Sequence, residues 1–278
     1  MTFEPRPPLH LPPLEVAPET FLIRSVQPAL GAPLSVALNS MVIRGAQPVI
    51  VDTGTIANRE RWLEDVFALV DPADVRWIYI SHDDDDHTGN LAEVLARCPQ
   101  ATLVTTWAST ERMGASFSLP PERLRWVHDR DALDVGDRVL RAVQPPVYDS
   151  PATRGLYDPS TGVYWASDAF ATPMPSEPVD RVDEMPPPMW AEGLAMFHHH
   201  ALCPWLRLVD PRLYAAEVDR LRSLAPRTIA GAHTPLIDGP GAVEGAIAHL
   251  TALPSTVPPP HPEQAALDAA LAGRPAPA

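Results

Sequence analysis

The chain has 278 residues, a formal net charge of −14 and 45% hydrophobic residues. The length suits one large domain, and the hydrophobic content is ordinary for a globular protein. The acidic balance argues against nucleic acid, and no run approaches the roughly 18 apolar residues of a membrane span, so neither is an expected partner.

The start, Met1-Thr2-Phe3-Glu4-Pro5-Arg6, lacks the basic and apolar segments of a signal peptide. Cys98 and Cys203 stand outside any Cys-x-x-Cys pair. A reduced, cytoplasmic setting is therefore expected, with both cysteines as small packing residues. Residues 1–18 hold many prolines and read as an arm that wraps the surface or stays loose. Residues 19–253 read as the folded domain. Phe21 to Asp52 is strand-like, with turn signals at Gly31-Ala32-Pro33 and Gly45. Arg59 to Val70 is helical, because Trp62, Val66, Leu69 and Val70 recur at helical spacing. The apolar run Trp77-Ile78-Tyr79-Ile80 is short enough for a buried parallel strand, and a helix follows near 89–97. Shorter strands are predicted near 102–106, 124–128, 138–144 and 162–167. This alternation suits two sheets with helices outside.

Residues 171–190 change character: Thr172-Pro173-Met174-Pro175 and Pro186-Pro187-Pro188 exclude regular structure. They form either a loop over a pocket or a surface connection. A helix is predicted over much of 189–208. Another starts at Asp210-Pro211, an N-cap followed by proline in the first turn, and Pro226 stops it. Arg227 to Gly231 is a strand. Residues 254–278 are a Pro/Ala-rich tail, expected to be partly disordered.

The most informative stretch is Ser81-His82-Asp83-Asp84-Asp85-Asp86-His87-Thr88-Gly89, directly after the apolar strand. Open α/β sheets place ligands at such strand ends. Four adjacent carboxylates repel one another unless water or a cation neutralises them, and the flanking imidazoles point to a metal. The bland alternative is a solvated acidic loop leading into a helix. In an extended segment alternate residues share a face. His82 and Asp84 can therefore grip one metal, while Asp86 and His87 turn toward a second. Asp83 and Asp85 point away.

The stretch resembles the His-x-acid-x-Asp-His signature of the metallo-β-lactamase superfamily. An acid at the third position marks its flavodiiron, oxygen-binding di-iron branch. Asn39-Ser40-Met41-Val42-Ile43-Arg44-Gly45 and Pro48-Val49-Ile50-Val51-Asp52-Thr53-Gly54 resemble that branch's N-terminal hairpin and Asp-Thr-Gly turn. Ala166-Ser167-Asp168-Ala169-Phe170 resembles the segment of its bridging aspartate. Gly231-Ala232-His233-Thr234-Pro235 resembles the segment of its last histidine. These matches keep family order over roughly residues 20 to 240. The resemblance implies an αββα sandwich of the metallo-β-lactamase fold, with Asp168 bridging two metals and His233 on the second. It places Asp52 behind a ligand loop rather than on a metal.

The family also draws a histidine from between the metal loop and the bridging aspartate. Here that stretch, Arg141 to Pro151, has none. Asp149, in an Asp-Ser-Pro context like the superfamily's His-Ser-Pro, is read as the substitute; the alternative is a turn residue. One of His198, His199 and His200 is a second candidate, although three adjacent residues on a helix cannot all face one ion. The resulting set is His82, Asp84 and Asp149 on one metal, Asp86, His87 and His233 on the other, and Asp168 between. Its oxygen-rich donors suit iron or manganese better than zinc. Two divalent ions and four carboxylates cancel in charge, which should favour the ferric state and lower the potential.

The resemblance implies binding or reduction of dioxygen or nitric oxide. Electrons would come from a separate donor such as a flavoprotein or rubredoxin-like protein. The chain has no room for the branch's flavodoxin-like domain, so no bound flavin is expected. The alternative is a binuclear hydrolase acting on an ester, thioester or phosphodiester. A homodimer is expected from the branch, with Trp190, Met196, Phe197 and Trp205 at the interface or in the core.

Overall fold

A computed structural model describes residues 7–29, 32–114, 118, 120–261 and 263–272. The first half runs β1 (Leu9–Ala17), β2 (Thr20–Pro28), β3 (Leu34–Ile43), β4 (Val49–Val51), α1 (Arg59–Leu69), β5 (Trp77–Tyr79), α2 (Asp85–Thr88), α3 (Leu91–Arg97), β6 (Thr102–Thr105) and α4 (Trp107–Met113). Next come β7 (Leu124–Trp126), β8 (Ala132–Asp134), β9 (Val139–Val143), β10 (Gly155–Asp158), β11 (Val163–Trp165) and β12 (Met174–Pro175). The chain continues with α5 (Pro187–Phe197), α6 (Pro211–Arg222), β13 (Thr228–Ala230), β14 (Ile237–Asp238), α7 (Pro240–Ala252) and α8 (Gln264–Ala272).

The strands form two sheets. One has the order β1-β2-β3-β4-β5-β6-β7, with β12 paired to β3, and the other β14-β13-β11-β10-β9-β8. The pleat sends alternate residues to opposite faces, and the packing follows it. Val49, Val51, Tyr79 and Val104 of the first sheet meet Leu140, Leu156, Trp165 and Ala230 of the second in a central core. Ile50, Ile78 and Leu103 face the other way, onto Trp62, Val66, Val94 and Leu95 of α1 and α3. Tyr157, Tyr164 and Ile229 face Leu194, Val218, Leu221, Val243 and Leu250 of α5, α6 and α7. Three packed layers of side chains thus make the αββα sandwich. Among the described residues no helix is long and apolar enough to cross a membrane.

Several expectations change. The arm is not loose over residues 9–17: it pairs with β2, and the register shifts between Leu11 and Leu14. Pro12 and Pro13 lack the amide hydrogen a regular ladder needs, so they are tolerated at an edge strand with a bulge. Gly31, in the expected turn, and residues 1–6 lie outside the described residues. The helix over 189–208 is three pieces: α5, a wide turn over His198–Leu202, and a tighter one over Pro204–Leu208. Pro204 cannot donate to the ladder, and the Cys203 N–H instead reaches the His198 carbonyl at 2.6 Å. Residues 171–190 are strapped down: β12 pairs with β3, and Arg181 holds Asp238 at 2.6 Å. Asp210 caps α6 through the Arg212 and Leu213 amides, as its position predicts. Within the tail Gln264–Ala272 forms α8; Pro262 and residues 273–278 lie outside the described residues.

Candidate metal centre

The candidate donors come from loops at one end of both sheets. Asp52 follows β4, and residues 82–87 follow β5. Asp149 lies between β9 and β10, Asp168 follows β11, and His233 follows β13. The Asp-Thr-Gly turn grips the metal loop directly. Thr53 donates to the His87 carbonyl from both its amide, at 2.7 Å, and its hydroxyl, at 2.9 Å. The Gly89 amide donates to the Gly54 carbonyl at 2.9 Å. A Cβ at Gly89 would stand 2.6 Å from that carbonyl oxygen, so only glycine fits this crossing.

All seven sequence-derived candidates converge. Their donor atoms fall into three overlapping groups: His82, Asp84 and Asp149; His82, His87 and Asp168; and Asp86, His87 and His233. Asp168 lies in the middle, with its two oxygens facing different ways. Oδ2 lies 3.6 Å from His82 Nε2. Oδ1 lies 3.1 Å from His87 Nε2 and 3.5 Å from His233 Nε2. Asp84 Oδ2 and Asp149 Oδ2 stand 3.5 and 3.8 Å from His82 Nε2. Asp86 Oδ2 stands 3.0 Å from His233 Nε2. Asp84 is the N-cap residue before α2, yet its side chain makes no capping hydrogen bond and stays available.

Three buried atoms at the centre have no hydrogen-bond partner: His82 Nε2, His87 Nε2 and Asp168 Oδ1. Buried polar atoms are almost always satisfied, and these three face one another. The donors present therefore fit a pair of metal ions.

The outer ring nitrogens are held. His87 Nδ1 lies 2.9 Å from Asp52 Oδ2, which also accepts from Ser81 Oγ at 2.8 Å and Trp165 Nε1 at 3.0 Å. His82 Nδ1 lies 3.2 Å from Ser167 Oγ, which lies 2.9 Å from Ser81 Oγ. His233 Nδ1 lies 2.9 Å from the Ala37 carbonyl. Each Nε2 is thereby turned inward, an arrangement typical of metal-binding histidines. Asp52 and Ser167 adopt φ of 56° and 52°, a left-handed conformation that concentrates at functional sites. Sequence reasoning placed Asp52 behind the ligands but gave no role to Ser81, Ser167 and Trp165, although Ser81 and Ser167 adjoin His82 and Asp168.

The histidine triplet takes no part in the cluster. The His198 ring nitrogens face the Leu194 carbonyl at 2.8 Å and the Ala169 carbonyl at 3.0 Å. Burial lowers its pKa to about 4. His199 and His200 reach the carbonyls of Leu253 and Pro259, each at 2.9 Å. Trp190, Met196, Phe197 and Trp205 are half-buried; Trp190 and Trp205 pack on the core of the second sheet.

Burial disfavours every charge in the cluster. It would lower His233, but Asp168 and Asp86 raise it to about 9. Burial also opposes the charge on His87, yet Asp168, Asp52 and Asp86 raise its pKa well above the ordinary value. Asp168 is held far below the ordinary range by His233, His87 and His82, against its burial. Asp149 is raised, by burial and then by Asp168. The metal-free protein therefore keeps protons where cations would bind. With His233 raised from 6.5 to about 9, its ion pairs stabilise the metal-free fold fully below pH 6.5. That stabilisation fades as pH rises through 9. Metal uptake should run the opposite way, strengthening across that interval as the proton leaves. Zinc added to metal-free protein at pH 7 in weak buffer should release protons; a flat pH trace would contradict this.

Residues 36–233 match the ODP family beta lactamase. Diflavin flavoprotein A 1 of Thermosynechococcus vestitus is 28% identical over 249 residues, covering 85% of this chain and 42% of that protein. Anaerobic nitric oxide reductase flavorubredoxin of Salmonella typhi is 27% identical over 166 residues, covering 59% of this chain and 34% of that protein. The chain thus spans less than half the length of both relatives. The solved rubredoxin oxygen:oxidoreductase of Desulfovibrio gigas superposes with a TM-score of 0.73 over 87% of this chain and 61% of that one. At 14% identity this likeness shows the fold. The αββα sandwich, the ordered motifs and the family match agree: the chain belongs to the ODP family beta lactamases, in the flavodiiron branch of the metallo-β-lactamase superfamily.

Proposed function

We propose that this chain is a di-iron domain that binds or reduces dioxygen or nitric oxide with electrons from a separate donor. The observation that carries the reading is the trio of buried, unpartnered atoms on His82, His87 and Asp168, surrounded by carboxylates. His82, Asp84 and Asp149 would hold one ion, Asp86, His87 and His233 the other, and Asp168 both. An oxygen-rich set of this kind suits iron, with manganese and zinc as the alternatives. Iron held there would supply one-electron redox chemistry.

The chain's own residues set the rest. Asp84 is half exposed, whereas His82, His87 and Asp168 are buried. Asp84 is thus the most exposed of the proposed ligands. Asp52 and Ser167 fix the imidazoles so that the donor geometry survives a change of charge. The likeness to a diflavin flavoprotein and a nitric oxide reductase flavorubredoxin supports a redox reading over hydrolysis. A flavoprotein or rubredoxin-like protein is the proposed donor class, with no flavin bound in this domain. The cytoplasm is the proposed location.

The test is anaerobic reconstitution with ferrous iron. About two irons per chain should bind, and the reduced protein should consume dioxygen or nitric oxide when given a chemical reductant. Uptake of zinc alone, with no iron binding, would sink the reading. The same sample in sedimentation velocity should behave as a homodimer at micromolar concentration, and a monomer removes that expectation.

A further inference from the structure

Asp83 lies between two of the proposed ligands, yet its carboxylate turns away from them. It accepts from Arg112 Nη1 at 3.1 Å to each oxygen, and from Ser109 Oγ at 3.3 Å. The same Arg112 nitrogen reaches Ser150 Oγ at 3.2 Å. The Ser150 amide in turn donates to Asp149 Oδ1 at 2.7 Å. One oxygen of Asp149 is therefore occupied, and the other, Oδ2, is the one that faces His82 Nε2. Arg112 stands on α4, whose first turn is fixed by Thr106, with Ser109 N donating to Thr106 Oγ1 at 3.2 Å.

We propose that Arg112 is a positioning residue for the first metal. Its guanidinium ties the loop of His82 and Asp84 to the separate loop of Asp149, at the spacing one ion requires. The inference rests on the reading above that Asp149 is a ligand. An arginine suits the task because its charge is permanent and its planar group donates in fixed directions. It also neutralises Asp83, which relieves repulsion on a loop where four carboxylates adjoin. Arg112 is about half exposed, and exposed ion pairs contribute little to stability. Its value lies in placement rather than in holding the fold.

Cobalt titration of the metal-free protein, read by metal count and visible absorption, tests this without reference to activity. Wild type should bind two cobalt ions. Arg112→Met should bind the first ion about 10–100-fold more weakly, as loss of an outer partner does. It should leave the second ion and the melting temperature of the metal-free protein unchanged. Arg112→Lys, which keeps the charge but not the fixed placement of Nη1 between Asp83 and Ser150, should fall between, and Ser150→Ala should weaken the same ion. Equal cobalt affinities in wild type and Arg112→Met, with Asp149→Ala impaired, overturn the inference alone. A wild type that binds one ion, or an Asp149→Ala variant identical to wild type, overturns the two-metal reading and the inference with it.

Discussion

Asp168→Ala should empty both metal sites. Its two oxygens face opposite ways, Oδ2 toward His82 and Oδ1 toward His87 and His233. Removing it deprives both ions of a donor at once. It also removes a buried negative charge that lies within 3.6 Å of all three imidazoles. Losing an outer partner of a ligand already costs about 10–100-fold in metal affinity, so losing a shared ligand should exceed that. Asp168→Asn keeps the volume but loses the charge and one of the two oxygen donors, and it should fail in the same direction by a smaller margin. Elemental analysis after gel filtration should find less than one metal per chain in Asp168→Ala, and the proposed consumption of dioxygen or nitric oxide should vanish. A variant that keeps two metals would show that the bridge is elsewhere.

The second large effect is expected at Asp149. Its Oδ2 lies 3.8 Å from His82 Nε2, while Oδ1 accepts from the Ser150 amide. Asp149→Ala should weaken the His82 and Asp84 site selectively and leave the His87 and His233 site filled. Asp149→His should keep two metals. It also replaces an anionic donor with a neutral one, which lowers electron donation to the iron and should raise the reduction potential. Redox titration followed optically separates these outcomes. If both variants keep wild-type metal content and potential, Asp149 is only a turn residue.

Local sequence carried much of this. His82 to His87 is contiguous, so its chemistry is visible without a fold. The segments around Asp168 and His233 were legible through their order along the chain. Ser81, Ser167 and Trp165 were not, because their partners lie far away in sequence: Ser167 meets Ser81 across 86 positions and Trp165 meets Asp52 across 113. Only the packing of one sheet on the other joins them. The strand Ala132–Asp134 has three residues, too few to display a period. The helix Gln264–Ala272 was hidden differently: alanine and leucine favour helix, but the surrounding prolines dominate the segment's composition. The histidine triplet misled because a carbonyl accepts from an imidazole as readily as a cation binds one.

The donors are divided between the layers of the sandwich. Asp84, Asp86 and their histidines hang from the first sheet, whereas Asp149, Asp168 and His233 hang from the second. A metal pair held among them acts as a rivet through one end of two stacked plates. At the opposite end the plates meet through side-chain packing and the Ala46 amide, which donates to Asp137 Oδ1 at 3.2 Å. Chelation should therefore unzip the molecule from one end. Amide exchange would accelerate around the five loops first, while the β-strand interiors beneath them stayed protected.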